Sequence, residues 1–149
     1  MNMFCFQCQE AAKGVGCDVR GVCGKSPEVA KLQDLLIYIA KGISLIVEKG
    51  NVDTKLDELN TEIFSTLFMT ITNANFDEVA LEKQIRKMLT LRDELAAKTG
   101  LSHLHDATSF QVSTREEMLE KASKVGVLAT EDEDVRSLRE MIIYGLKGM

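Results

Sequence analysis

Residues 26–50 read SPEVAKLQDLLIYIAKGISLIVEKG, and this stretch decides the fold class. Ser26 is a favourable helix N-cap, and Pro27 suits the first helical position, where its missing N–H leaves no bond unmade. Apolar residues then recur three and four positions apart, the spacing of one helix face: Val29, Leu32, Leu35, Leu36, Ile39, Ile43 and Ile46. The pattern predicts one long amphipathic helix that stops near Gly50.

The same apolar periodicity continues beyond this helix and predicts two further helices that can pack against it. Asp53 begins a second helix, which ends before the break at residues 73–75. Asp77 begins a third, and Gly100 follows its end. Three helices with short connections favour an antiparallel bundle, which we assign to residues 26–100.

Two capping boxes predict two further helices in residues 101–149. Thr114 is followed three positions later by Glu117, and Thr130 by Glu133, each pair preceding an apolar pattern. The whole fold is therefore expected to be all-α. Residues 101–149 would form an incomplete second bundle, because the fifth helix simply meets the end of the chain.

The last predicted helix carries an apolar stripe of Val135, Leu138, Ile142 and Leu146. Burying each such side chain contributes roughly 1.5–3 kcal/mol, so leaving the stripe in water is costly. The stripe predicts a homodimer of this chain through the fifth helix. Folding back onto the first bundle is the alternative.

Composition excludes several classes of function. The chain has 149 residues with 18 Lys plus Arg against 23 Asp plus Glu, a net charge of −5. A nucleic-acid binder usually has a basic surplus, so no nucleic-acid partner is expected. No apolar run reaches the roughly 18 residues of a transmembrane helix, so no membrane partner is expected. The first residues lack a signal peptide, which predicts a cytoplasmic protein.

All four cysteines lie at the start of the chain, at Cys5, Cys8, Cys17 and Cys23, with the spacing C-x2-C-x8-C-x5-C. Cytoplasmic thiols stay reduced, so a metal centre is the first interpretation and a pair of disulfides the alternative. Structural zinc sites usually combine two tight cysteine pairs, and only one is present. Four thiolates spread along one loop favour a [4Fe–4S] cluster, with zinc left open.

The residues around the cysteines agree with a cluster loop over residues 1–25. Glycine lets the backbone pass close to a cluster, and four lie in this loop: Gly14, Gly16, Gly21 and Gly24. Three basic residues, Lys13, Arg20 and Lys25, could offset the negative charge of thiolates and cluster. Ordinary solvated surface is the alternative interpretation of these three.

The cysteine block closely resembles the start of the hybrid cluster proteins, also called prismane proteins or hydroxylamine reductases. The likeness lies in residues 3–10, in Cys17 and in residues 21–25. It continues through residues 32–38, 70–76 and 101–110 and through the last six residues, and so covers essentially the whole chain.

This resemblance implies two helical bundles set across each other and a [4Fe–4S] cluster on Cys5, Cys8, Cys17 and Cys23. It also implies an iron–sulfur oxidoreductase that reduces hydroxylamine or nitric oxide, with electrons from a reductase partner. In that family the cubane cluster passes electrons to a hybrid iron–sulfur–oxygen cluster, whose His, Glu and Cys ligands come from later domains.

The sequence departs from the family by lacking those C-terminal domains, and it has no cysteine after Cys23. We therefore expect residues 1–149 to be the N-terminal helical domain of a longer enzyme, with no catalytic residue of its own and no activity alone. A non-enzymatic helical module with a structural zinc or a redox-sensing four-cysteine site is the competing interpretation.

Overall fold

The computed structural model describes residues 2–52 and 56–148, and its regular structure is helical. It has five α-helices: α1 (Pro27–Gly50), α2 (Leu56–Met69), α3 (Glu78–Thr99), α4 (Arg115–Val125) and α5 (Glu133–Lys147). The described residues contain no β-strand, only a single bridge between Cys5 and Cys17. The predicted all-α fold is confirmed.

Local capping signals set most of the helix starts. The Ser26 side chain accepts a hydrogen bond from the Val29 N–H at 3.1 Å, as predicted for α1. The Asp77 carboxylate accepts from two N–H groups of the first turn of α3, and Thr114 and Glu117 form the predicted capping box of α4. Asp53, the predicted cap of α2, lies outside the described residues.

The predicted capping box of the fifth helix is wrong. Asp132, not Thr130, caps α5, and its Oδ1 accepts from the Val135 N–H at 2.9 Å. Residues 127–129 form a 3₁₀ turn before this cap, so the helix begins later than the sequence pattern indicates. The Thr130 hydroxyl accepts instead from the Arg139 guanidinium at 3.1 Å.

The core forms where α1 packs against α3. The predicted apolar face of α1 is buried throughout, and Leu81, Ile85 and Met88 of α3 are fully buried against it. Met118 of α4 belongs to the same cluster. The division at residue 100 between two bundles stays a prediction, and the core runs across that point.

The segment between α3 and α4 lies directly on α1. Gly42 faces the Ala107 carbonyl so closely that a Cβ at this position would collide with the carbonyl oxygen. Phe110, only 8% exposed, adds its ring to the core. The segment between α3 and α4 therefore packs directly on α1 at Gly42 and contributes Phe110 to the core.

One face of α5 packs on the bundle and another stays exposed. Ile143 is buried against Ile37 of α1 and Leu67 of α2, whereas Leu138 and Ile142 of the predicted stripe are 61% and 64% exposed. Within the described part of the chain, the first bundle therefore does not cover these two residues of the stripe. Self-association through the stripe stays a prediction. None of the described helices is long and apolar enough to cross a membrane.

Candidate metal centre

Two of the predicted ligands, Cys5 and Cys17, are brought together by the backbone. The Cys5 N–H donates to the Cys17 carbonyl oxygen at 3.1 Å, and the Cys17 N–H donates to the Cys5 carbonyl oxygen at 2.8 Å. Directly opposed residues of an antiparallel pair project their side chains to one face, with Cβ atoms about 5 Å apart. The fold therefore places these two thiols on the same side of the loop.

Cys17 anchors the cysteine loop to the helical body. Its side chain is 5% exposed and, with Met3, packs against Ala30 of α1. Its sulfur also accepts a hydrogen bond from the Ala12 N–H at 3.5 Å. Because α1 is fixed by its own core, this contact holds one end of the predicted ligand set in place.

The other two predicted ligands occupy more open positions. Cys8 is half-buried, and Cys23 is exposed in the turn between Gly21 and Lys25. The Gly21 N–H donates to the Lys25 carbonyl oxygen at 2.9 Å, which closes this turn. A Cβ on Gly21 would lie 2.9 Å from the Lys25 Cβ and 3.1 Å from the Cys23 sulfur, so the turn needs glycine here.

The four cysteines are free thiols, and none forms a disulfide. Within residues 2–52 and 56–148, no three His, Cys, Asp or Glu side chains converge closely enough for one metal ion. Zinc, with Zn–S bonds of about 2.3 Å in a tetrahedron, would hold its sulfurs roughly 3.8 Å apart. An iron–sulfur cluster is likewise held by four cysteine thiolates, so the donor set of Cys5, Cys8, Cys17 and Cys23 fits a thiolate-bound metal centre of either kind.

The three basic residues of the loop differ in how deeply they are buried. Lys13 and Arg20 are exposed, as expected for ordinary surface. Lys25 is 1% exposed, and its Nζ lies 2.7 Å from Gln33 Oε1 and 4.0 Å from the Cys5 sulfur. Of the three, only Lys25 can act strongly on the cysteines, because charges inside a protein are screened far less than charges in water.

A second buried lysine, Lys147 of α5, was missed by sequence reasoning. It is 4% exposed, and its Nζ lies 3.2 Å from Gln7 Oε1 and 3.3 Å from the Thr70 carbonyl oxygen. The same Gln7 oxygen accepts from the Thr72 N–H at 3.0 Å. Gln7 lies between Cys5 and Cys8, so α5 is joined to the tightest cysteine pair through one amide.

Burial lowers the pKa of Lys147 to about 8, because water no longer solvates the ammonium. Glu140 works against that change, Lys25 adds to it by repulsion, and Asp34 and Cys5 oppose it more weakly. Lys25, Lys147 and Cys5 therefore lie close enough for their charges to interact.

Asp34 is a carboxyl group near these lysines that only partly balances them. Burial and repulsion from Glu140 raise its pKa to about 7, although Lys147 and Lys25 act to lower it. A carboxyl with a raised pKa offsets a nearby ammonium less fully than an ordinary aspartate does.

Comparison with known proteins places the chain in a family. The family model of the prismane/CO dehydrogenase family matches residues 3–149, which is nearly the whole chain and includes all four cysteines. The chain belongs to the prismane/CO dehydrogenase family. The resemblance drawn from the cysteine block is thus confirmed.

Individual members of the family show the same relationship. The chain is 64% identical to the hydroxylamine reductase of Acetivibrio thermocellus, over the whole chain and 28% of that protein. It is 52% identical to the hydroxylamine reductase of Clostridium perfringens, over the whole chain and 29% of that protein. For the hydroxylamine reductase of Chlorobaculum tepidum the identity is 49%, over 99% of the chain and 27% of that protein. The chain spans a little over a quarter of the length of these relatives.

Proposed function

We propose that this chain is the electron-relay domain of an iron–sulfur oxidoreductase of the hydroxylamine reductase kind. Cys5, Cys8, Cys17 and Cys23 would hold one [4Fe–4S] cluster. The observation that carries the proposal is the set of four free thiols on one loop, tied to α1 at Cys17 and faced by a buried ammonium at Cys5. Family membership supports an iron–sulfur oxidoreductase.

Different residues of the loop would have different roles in holding this cluster. When bound, a [4Fe–4S] cluster accepts and releases single electrons. The Cys5–Cys17 bridge fixes two ligands on one face of the loop, and burial of Cys17 keeps water from its sulfur. Cys23, in its exposed turn, brings one corner of the site toward solvent, where an electron-donating reductase could approach.

In the longer relatives such a domain would pass electrons to a second centre. We propose that this is the hybrid iron–sulfur–oxygen cluster of the C-terminal domains, where hydroxylamine or nitric oxide would be reduced. Four cysteine ligands leave a cubane no open position for a substrate. The chain supplies no further cysteine after Cys23. Substrate reduction would therefore belong to the rest of the enzyme.

The chain alone is expected to be reducible but inactive toward hydroxylamine. Purified without oxygen, it should lose its visible absorbance on dithionite treatment and regain it on gentle reoxidation. With reduced methyl viologen as donor, hydroxylamine consumption should stay at the background rate, while a full-length relative measured alongside turns over. Turnover by the chain at a rate comparable to the full-length enzyme would contradict the proposal that substrate reduction belongs to the rest of the enzyme.

A helical module with a structural zinc or a redox-sensing site on the four cysteines is the second candidate function. The tight pair of Cys5 and Cys8 favours it, because this spacing is common to zinc knuckles. A colourless protein with tightly bound zinc after anaerobic purification would decide for that candidate.

A further inference from the structure

Two buried lysines from opposite ends of the chain converge on one short segment of the cysteine loop. Lys25 Nζ lies 4.0 Å from the Cys5 sulfur. Lys147 Nζ lies 3.2 Å from the side-chain oxygen of Gln7, two residues further along. Their side chains are 1% and 4% exposed. Two ammonium groups therefore flank the stretch that begins with the first predicted ligand.

Apart from the Cys5 sulfur, the hydrogen-bond partners of these ammonium groups are uncharged. Besides the Cys5 sulfur, Lys25 has the Gln33 amide oxygen at 2.7 Å, and Lys147 has the Gln7 amide oxygen and the Thr70 carbonyl. In the part of the chain that the structure describes, neither forms an ion pair within 4.0 Å. Asp34 and Glu140 act on Lys147 only as more distant charges.

Burying an ammonium without a close counter-charge is unfavourable, and placing two such groups near each other adds repulsion. Folded proteins keep such an arrangement where an opposite charge compensates it. For Lys25 the group in contact that can do so is the Cys5 thiolate with whatever it binds. Lys147 has Glu140 and Asp34 as more distant opposite charges besides Cys5. A cluster held by four thiolates carries net negative charge, and reduction adds one more electron to it.

We propose, on the basis of the cluster proposed above, that Lys25 and Lys147 form a buried cationic pair that favours the reduced state of this cluster. Nearby positive charge stabilises the more negative form, so the pair raises the reduction potential. Lys25 acts directly beside the Cys5 sulfur. Lys147 acts from further away, through its contact with Gln7. Because Lys147 belongs to α5, the potential also depends on the packing of α5 against the loop.

The test is a redox titration of the anaerobically purified chain at pH 7, with Lys25→Met and Lys147→Met as variants. Methionine keeps a long side chain and removes the charge. Each variant should lower the equilibrium constant for reduction at least tenfold, which is about 59 mV in midpoint potential for one electron. Lys13→Met is the matched control, because it removes one charge from an exposed position of the same loop and should leave the potential nearly unchanged.

Equal potentials in the two buried-lysine variants and in Lys13→Met would overturn the proposal. If the methionine variants fail to retain iron, Lys25→Arg and Lys147→Arg decide, because arginine keeps the charge. Iron retention and a near-normal potential in the arginine variants would support a role of charge. Loss of iron in them as well would mean that the lysines act by packing and would overturn the proposal. An unmodified chain without iron is a different failure, which removes the cluster itself and this inference with it.

Discussion

Serine in place of Cys17 is expected to remove more than about half of the bound iron and sulfide and to bleach the visible chromophore. Serine keeps the backbone bridge to Cys5 and nearly the same volume, so the change is confined to the ligand atom. All four cysteines of the chain are already assigned as ligands, and no spare thiol is present to replace the lost sulfur. Iron and acid-labile sulfide per chain, measured after anaerobic reconstitution, check this prediction.

Val22→Ser is the matched control for that experiment. Val22 lies beside Cys23 in the same loop and is 62% exposed, so a hydroxyl there meets water. This variant should keep the iron and sulfide content of the unmodified chain. If Cys17→Ser also kept its full content, the four-cysteine assignment would be wrong.

Methionine in place of Arg92 is expected to lower the free energy of unfolding by about 3 kcal/mol. Arg92 lies on α3 with a fully buried side chain. Its guanidinium donates to the Phe110 carbonyl oxygen at 2.7 Å and to the Ala107 carbonyl oxygen at 3.4 Å, and its Nη2 lies 2.6 Å from Asp93 Oδ1. Removing it leaves two carbonyl groups without their donor, because methionine has no N–H to offer.

Urea unfolding of the chain measures this loss, with Arg86→Met as control. Arg86 is on the same helix and also donates to a backbone carbonyl, that of Ser113 at 2.8 Å, but it is exposed. Water can replace its bond, so the loss there should stay below about 1 kcal/mol. Equal losses in the two variants would show that the segment between α3 and α4 does not depend on a buried arginine.

The helices could be predicted from the sequence because their signals are local. Ser26, Asp77 and Thr114 cap the first turns that directly follow them, and the apolar period fixes the buried face of α1. The cap of α5 could not be chosen in this way. Thr130 and Asp132 are both good capping residues, and the 3₁₀ turn at 127–129 decided between them.

The four cysteines of the candidate site stay a prediction from their spacing, and their surroundings could not be predicted from the sequence. Cysteine spacing identifies the four thiols, whereas burial of Lys25 and exposure of Lys13 depend on how the loop packs on α1. The contact between Lys147 and Gln7 joins residues 140 positions apart. No local pattern records such a contact, and a lysine in the last turn of a helix is ordinarily explained by the helix dipole.

Analysis of iron, acid-labile sulfide and zinc in the anaerobically purified chain tests the proposed cluster most directly. Because four cysteines can hold either a cubane or a zinc ion, the stoichiometry separates the two candidates. We predict about four iron atoms and about four sulfides per chain, with zinc at trace level. One zinc per chain, or iron without sulfide, would contradict the assignment of Cys5, Cys8, Cys17 and Cys23 to a [4Fe–4S] cluster.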